Sequence, residues 1–321
     1  LPKNQSLPRQ KPAGYEPHAG GGINNQKMTI AAAFLDALET GAPLVLPAIT
    51  QMDQVNWNFE AIPFGVVFDE GKIRDFAGRH GIEILGEPAE VYAGNYVDYF
   101  WRMYREIETG LFDDGNEVRD AFVVDLFNSL QPRVKELPAV EKIKQGAFGA
   151  AVETVAVQFR IERDWEAHCR ENMPNITGPE EELFVPFARI MEKIKFSLPE
   201  TKRIFAMCDE AALPVAPAAL KDACWSHYRI YLVFKSDFLP RAEMARLKPV
   251  NLSLLDFEMA LAAEVFVGTS RSTFSNLAGI QTYCASGKVP ERHYIYNRRG
   301  PGLWRRTDGG RHADAVAATA G

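Results

Sequence analysis

The chain has 321 residues, 46% of them apolar and 24% charged, with a formal net charge of −6. That length suits two domains of roughly 150 residues each. The acidic balance excludes an overall basic field, so no nucleic-acid partner is expected, and no run of about 20 apolar residues is present to cross a bilayer. Residues 1–19, polar and rich in Pro and Gly, read as a disordered stem or linker. Membrane attachment is expected only through an anchor preceding that stem.

The first ordered element follows Gly20, Gly21 and Gly22. From Asn25 to Leu38 the apolar residues Met28, Ala31, Ala32, Leu35 and Leu38 recur at helical spacing, and Gly41 ends the helix. Leu44-Val45-Leu46 is a short apolar run closed by Pro47 and reads as a buried strand. Gly65–Phe68 and Ile82–Leu85 are further strand candidates, with a helix at Lys72–Arg79 between them. The stretch Val97–Leu137 is helical in pattern, with a break near Asp113-Asp114-Gly115 and an aromatic stripe at Tyr99, Phe100 and Tyr104 expected in the core.

The second half alternates again. Strands are expected at Thr154–Phe159, Arg203–Met207, Arg229–Phe234, Val265–Val267 and Tyr294–Tyr296. Helices are expected at Glu180–Lys195, Arg241–Leu247, Leu254–Ala263 and Thr273–Ala285. Strands alternating with helices predict a mostly parallel sheet covered on both faces. Two such halves give an α/β fold of two Rossmann-like domains facing a cleft, the GT-B arrangement. The expected division is an N-terminal domain over 20–148, a nucleotide domain over 149–312 and a tail over 313–321.

Cys169, Cys208, Cys224 and Cys284 match no zinc spacing, and the six histidines form no H-x-x-x-H pair. The cysteines are consistent with two disulfides or with four buried thiols, according to compartment. Sequons at Asn4, Asn175 and Asn251 lean towards the lumen of the secretory pathway, Golgi or endoplasmic reticulum. No D-x-D occurs, so no metal or other cofactor is expected.

Three segments carry candidate chemistry. In Val265–Phe274 an apolar strand runs into a hydroxyl-rich turn and then a helix. Such a helix start holds phosphate through its N–H groups and dipole, aided here by Arg271, Ser272 and Thr273; an ordinary N-cap fits the same residues. In Val155–Trp165 a buried strand ends at Arg160, at the edge where open α/β sheets bind ligands. A cation there serves a nucleotide-sugar transferase, because the departing diphosphate gains negative charge; a salt-bridged surface arginine is the alternative. In Gly20–Gln26 three glycines permit close backbone approach ahead of a helix, without P-loop or G-x-G-x-x-G spacing.

These segments carry a resemblance. GGINNQKMTIAAAFLDALETGAPLVLP resembles the opening of the GDP-fucose O-fucosyltransferase superfamily. Gln158-Phe159-Arg160 through Asp164-Trp165 resembles that family's H-x-R-x-x-x-D-W. Asp256, followed by Ser272-Thr273-Phe274, resembles its guanine-binding Asp and its S-[ST]-F. The ending Tyr294–Asn297, with Gly300-Pro301 and Arg306–Gly310, resembles the close of plant and algal relatives. The matches run in family order from about residue 20 to 310.

The resemblance implies an inverting, metal-independent transferase that moves fucose from GDP-fucose to a hydroxyl on a protein Ser/Thr or a glycan. It implies that Arg160 stabilises the leaving GDP, that Asn25 contacts diphosphate or sugar, and that Gly21, Gly22, Ile23, Asn24 and Gln158 contribute to donor binding. It assigns Asp256 to the guanine N–H groups and places Arg271, Ser272, Thr273 and Phe274 at the β-phosphate, with Asp164 and Trp165 in support. Asp164 is expected to pair with Arg160.

Two departures stand out. Gln158 replaces the usual His, and Gly21 and Gly22 stand where one branch of the family has a Glu base, so no general base is assigned. The competing readings are a relative using another donor such as UDP-rhamnose, and a non-catalytic glycan-binding or scaffold protein of the same fold.

Overall fold

The computed structural model describes residues 13–14, 22–53, 58–86, 117–149, 152–174, 178–288 and 290–306. The chain divides into two units, Leu1–Arg133 and Val134–Gly321. The expected helix break at Asp113–Gly115, the stripe Tyr99, Phe100 and Tyr104, and the glycines Gly20 and Gly21 lie outside the described residues.

The first unit is organised around a helix that is apolar on nearly every side. Strand β1 (Ala13–Gly14) precedes α1 (Ile23–Thr40), and Met28, Ile30, Ala31, Ala32, Phe34 and Leu35 of α1 are buried. Gly41 closes α1 in the left-handed conformation, φ 68°, and returns its N–H to Ala37. A left-handed cap of this kind is cheap only for a residue without Cβ. Next come β2 (Leu44–Val45), the antiparallel pair β3 (Ile49–Asp53) and β4 (Asn58–Ile62), α2 (Phe64–Val67), α3 (Glu70–Arg79), β5 (Ile84–Leu85) and α4 (Glu117–Ser129). β1, β2 and β5 form a parallel sheet with β2 central. The rings of Phe34 and Phe122 both pack on Phe76, joining α1, α3 and α4.

One expected strand of this unit is a helix. Gly65–Phe68 carries no alternation, and a short apolar run does not separate strand from helix by itself. Pro63 stands at the N-cap and starts the turn, Asp69 caps the next helix by accepting the Lys72 N–H, and only Phe68 keeps a β-bridge, to Pro132.

The second unit holds a six-stranded sheet. After α5 (Pro138–Phe148) come β6 (Thr154–Gln158), α6 (Arg163–Asn172), α7 (Phe187–Ser197), β7 (Arg203–Met207), α8 (Pro217–Ala223), β8 (Tyr231–Phe234), α9 (Arg241–Met244), α10 (Pro249–Ala262), β9 (Val265–Gly268), α11 (Thr273–Ser286), β10 (His293–Ile295) and β11 (Trp304–Arg305). Their order is β11-β10-β9-β6-β7-β8, all parallel except the β10–β11 pair. The first of the sheet's parallel strands, β6, therefore lies between the second and the fourth, β7 and β9. Chain direction across the sheet reverses there, which is the topological switch point where such sheets bind ligands.

Residues of β6, β7 and β9 are buried on both faces, as parallel sheets require. Val155, Val157, Ile204, Ala206, Val265 and Val267 share one core with Ile190, Met191 and Ile194 of α7. On the other face Phe205 meets Phe148 and Phe238, and Phe266 meets Phe274. Two element boundaries differ from expectation. Helix α7 waits for Pro186 at its N-cap, and β8 starts only after Arg229 has turned left-handed, φ 56°, behind a short π-helix at Cys224–Tyr228. All four cysteines are buried, and no disulfide joins them among the described residues.

Candidate active site

The carboxyl ends of β6 and β9 lie side by side; they bring Gln158 to Ser272, and Arg160 follows the end of β6. Gln158, the last residue of β6, is buried and donates its amide N–H to Ser272 Oγ at 3.0 Å. Its amide oxygen accepts from Ser275 Oγ, which in turn accepts the Thr269 N–H at 3.1 Å. Both ends of the Gln158 amide are thus engaged within the chain, and Gln158 acts on the loop between β9 and α11. Ser272 is the N-cap of α11, yet its side chain makes no capping bond. Its oxygen accepts from Gln158 instead, so its own proton remains to be donated. A helix start leaves its first N–H groups without carbonyl partners inside the helix, and the dipole makes that end favourable for an anion.

Gly268 makes this arrangement sterically feasible. A Cβ there would overlap Ser275 Oγ and stand 2.8 Å from Ser275 Cβ. Only glycine lets the end of β9 pass so close to α11.

Arg160 follows β6 directly. Its backbone N–H donates to the Tyr296 hydroxyl at 3.2 Å, its guanidinium stacks on the Trp165 ring at 4.4 Å, and Nη1 lies 3.8 Å from Glu162 Oε1. Its Nε is buried and has no hydrogen-bond partner. The carboxylate beside Arg160 is therefore Glu162. Asp164, expected in that place, is exposed in the first turn of α6. The reason is geometric: Glu162 stands at the N-cap of α6, still beside the strand end, whereas Asp164 has entered the helix. Burial raises the Glu162 carboxyl above its ordinary value, against the opposing pull of Arg160. Glu162 Oε1 also accepts the Asp209 N–H at 3.3 Å, which ties it to the turn after β7.

Asp256 lies elsewhere along the same edge. It is 6% exposed, and its Oδ2 accepts from Lys235 Nζ at 2.8 Å. Lys235 also donates to the Cys208 carbonyl at 2.6 Å. Burial lifts the Asp256 carboxyl to about 6 despite Lys235. The Lys235 ammonium is disfavoured by burial but held above its ordinary value by Asp256 and its neighbours.

The remaining expected residues divide. Arg271 spends its charge on Glu181, with Nε 2.7 Å and Nη2 2.5 Å from Oε2. Glu181 is itself buried and accepts from Ser270 Oγ, and Asn297 brackets Ser270 through two bonds of 2.9 Å. Phe274 turns inward, 5.2 Å from the Phe257 ring, and belongs to the core. Thr273 opens α11 and is half-buried. In the first unit Gly22 is the N-cap of α1, and its carbonyl accepts the Asn25 N–H at 2.9 Å. Ile23 is buried in the first turn, Asn24 is buried with Oδ1 unpartnered, and Asn25 is half-buried. Gln26 exchanges two hydrogen bonds with the Thr50 backbone, fixing α1 to β3. Gly21 is outside the described residues.

No family model matches the chain, and no curated protein matches its sequence. Solved structures do. The crystal structure of POFUT1 in complex with GDP-fucose is 16% identical, with a TM-score of 0.56 over 92% of this chain and 100% of that one. The chain has a fucosyltransferase fold. POFUT1 in complex with GDP follows at 14% identity and a TM-score of 0.55, covering 88% of this chain and 97% of that one. The fucosyltransferase NodZ from Bradyrhizobium stands at 14% and 0.50, covering 92% and 99%. The α/β, GT-B class expected from the sequence is that of this fucosyltransferase fold.

Lys235, Tyr296, Gly268 and Ser275 escaped the sequence reading. Lys235 alone had a local signal: a single charge directly behind the apolar strand Tyr231–Phe234, at the ligand-binding end of a parallel sheet.

Proposed function

We propose that this chain is an inverting glycosyltransferase that moves fucose from GDP-fucose to a hydroxyl of a protein or glycan. The observation that carries the reading is the switch point between β6 and β9, where Gln158 holds Ser272 at the start of α11 and Arg160 follows the end of β6. There a buried Nε without a partner and the uncapped start of α11 converge on one edge of the sheet. Two donors of that kind suit a diphosphate, and the likeness to POFUT1 in complex with GDP-fucose supports the choice of donor.

In the reaction the bond from the sugar anomeric carbon to the β-phosphate oxygen breaks. A bond from the acceptor oxygen forms on the opposite face, and the acceptor's proton is released. Charge grows on the departing diphosphate. The guanidinium of Arg160 offers a planar cationic fork of donors, and a donor fixed before the reaction stabilises that growing charge without reorganising. Ser272 adds its proton. The non-catalytic scaffold reading leaves the unpartnered Arg160 Nε without a purpose. No metal is assigned a part.

Purified protein incubated with GDP-fucose, GDP-mannose, UDP-rhamnose and UDP-glucose tests this, with release of free nucleotide and sugar as the readout. Turnover of GDP-fucose supports the reading, turnover of UDP-rhamnose alone replaces it with the other donor, and no turnover of any donor returns the scaffold reading. The compartment is a separate question. The sequons speak for the secretory lumen. A mobility shift of the native protein on endoglycosidase treatment decides for the lumen.

A further inference from the structure

Lys235 is buried. Its ammonium donates to the Cys208 carbonyl at 2.6 Å and to Asp256 Oδ2 at 2.8 Å, with Glu210 Oε1 3.8 Å away. Asp256 is not matched in the same way. Its second oxygen, Oδ1, is buried and has no donor. A buried ion pair kept for packing alone is readily replaced by apolar side chains of similar volume, and such a pair has no use for an orphan oxygen, which carries an uncompensated desolvation cost.

The pair sits where a ligand needs it. Lys235 follows β8 and Cys208 follows β7, so both mark the carboxyl edge of the sheet, the edge that carries Arg160 behind β6. From β6 to β8 is two strand spacings, about 10 Å. That matches the reach of a nucleoside diphosphate from its phosphates to its base. The Asp209 N–H, bonded to Glu162, links the two ends of this edge through one turn.

We propose that Lys235 is a specificity-determining residue: by holding Oδ2 of Asp256 it keeps the carboxylate turned so that Oδ1 accepts N–H donors of a guanine-like base. This rests on the nucleotide-sugar reading above. Lys235 acts on the base through Asp256, to which it donates at 2.8 Å.

The test is calorimetric binding of GDP, IDP, UDP and inorganic pyrophosphate to the unmodified protein, Lys235→Met and Lys235→Gln, with thermal melting of each. IDP lacks only the 2-amino group of guanine. The unmodified protein should prefer GDP to IDP and UDP by at least tenfold. Both variants should lose tenfold or more for GDP, bringing the ratios towards one, while UDP and pyrophosphate bind as before. Should Lys235→Met fail to fold, Lys235→Gln keeps an amide donor for Asp256 and answers in its place. A folded variant with unchanged ratios overturns the proposal and leaves the nucleotide-sugar reading standing. Failure of both variants to fold marks Lys235 as structural and also overturns it. Absence of any nucleotide binding to the unmodified protein removes both.

Discussion

The guanidinium of Arg160 lies over the ring of Trp165, with Cζ 4.4 Å from the ring centre. The stacking leaves the edge of the guanidinium to hydrogen-bond and fixes which way that edge points. Its buried Nε then has a fixed direction but no hydrogen-bond partner among the described residues.

Replacing Arg160 should therefore cost rate and spare the fold. Arg160→Ala should lose a hundred- to a thousandfold in kcat, about 2.7–4 kcal/mol, as for removal of one preorganised donor. Arg160→Lys should fail as well, since Lys keeps the charge but not the planar fork. Trp165→Leu should lose about two- to fivefold, since a cation on an aromatic face contributes about 0.5–1 kcal/mol. Steady-state kinetics and melting on one preparation check all three, and an active Arg160→Ala protein would sink the mechanism.

Glu162→Gln separates orientation from stability. Burial pushes the Glu162 carboxyl up, so the folded chain binds its proton more tightly than the unfolded chain does. The charged form then costs stability, and that cost sets in as pH rises through the folded value. Gln removes the charge and still accepts the Asp209 N–H. The variant should melt no lower than the unmodified protein at pH 7 while losing about tenfold in kcat, because Arg160 loses the carboxylate charge 3.8 Å from its Nη1. A fall in melting temperature with unchanged kcat would assign Glu162 to structure alone.

Gly268→Ala should destabilise the protein. The added methyl overlaps Ser275 Oγ, and overpacking of this kind costs about 1–3 kcal/mol. It should also loosen the Ser275–Gln158–Ser272 chain and so weaken nucleotide binding. Gly268→Ala with Ser275→Gly relieves the overlap and should recover the melting temperature but not the binding. Urea unfolding and calorimetry together read the two effects.

His293 sets part of the acid sensitivity. Burial, with help from the charge of Arg306, lowers its ring to about 4, from 6.5. Between those values the unfolded chain binds the proton and the folded chain does not, so stability falls as pH drops from 6.5 to 4. The slope contributed is about 1.4 kcal/mol per pH unit inside that window. His293→Leu should flatten it, and the buried Nδ1, which has no partner, makes the apolar replacement tolerable. Melting curves at pH 7, 6 and 5 check this; equal acid sensitivity in the variant would refute it.

Chelation should leave transfer unchanged. The chain has no D-x-D to hold a metal on a nucleotide diphosphate, and Arg160 with the α11 start supplies positive potential instead. Activity lost in EDTA and restored by manganese would overturn this.

Periodicity and punctuation alone determined much of this protein. The helical spacing from Met28 to Leu38 and the glycine at 41 gave α1 its extent, because the 3.6-residue repeat and a left-handed cap are local physics. Apolar runs at Thr154, Arg203 and Val265 marked buried parallel strands for the same reason. Arg160 and Ser272 were legible because each directly follows such a strand or opens a helix. Local pattern was insufficient where a short run had no alternation, as at Gly65–Phe68. Long-range pairing was beyond it altogether. That β6 sits between β7 and β9, that Gln158 spends its amide on Ser272 and Ser275, that Glu162 and not Asp164 faces Arg160, and that Lys235 claims one oxygen of Asp256 are decided by side chains 2 to 117 positions apart in sequence. Burial supplies the reason. Once the sheet excludes water, each polar group must find its partner among whatever the fold brings within about 3 Å, and only the tertiary structure sets that choice.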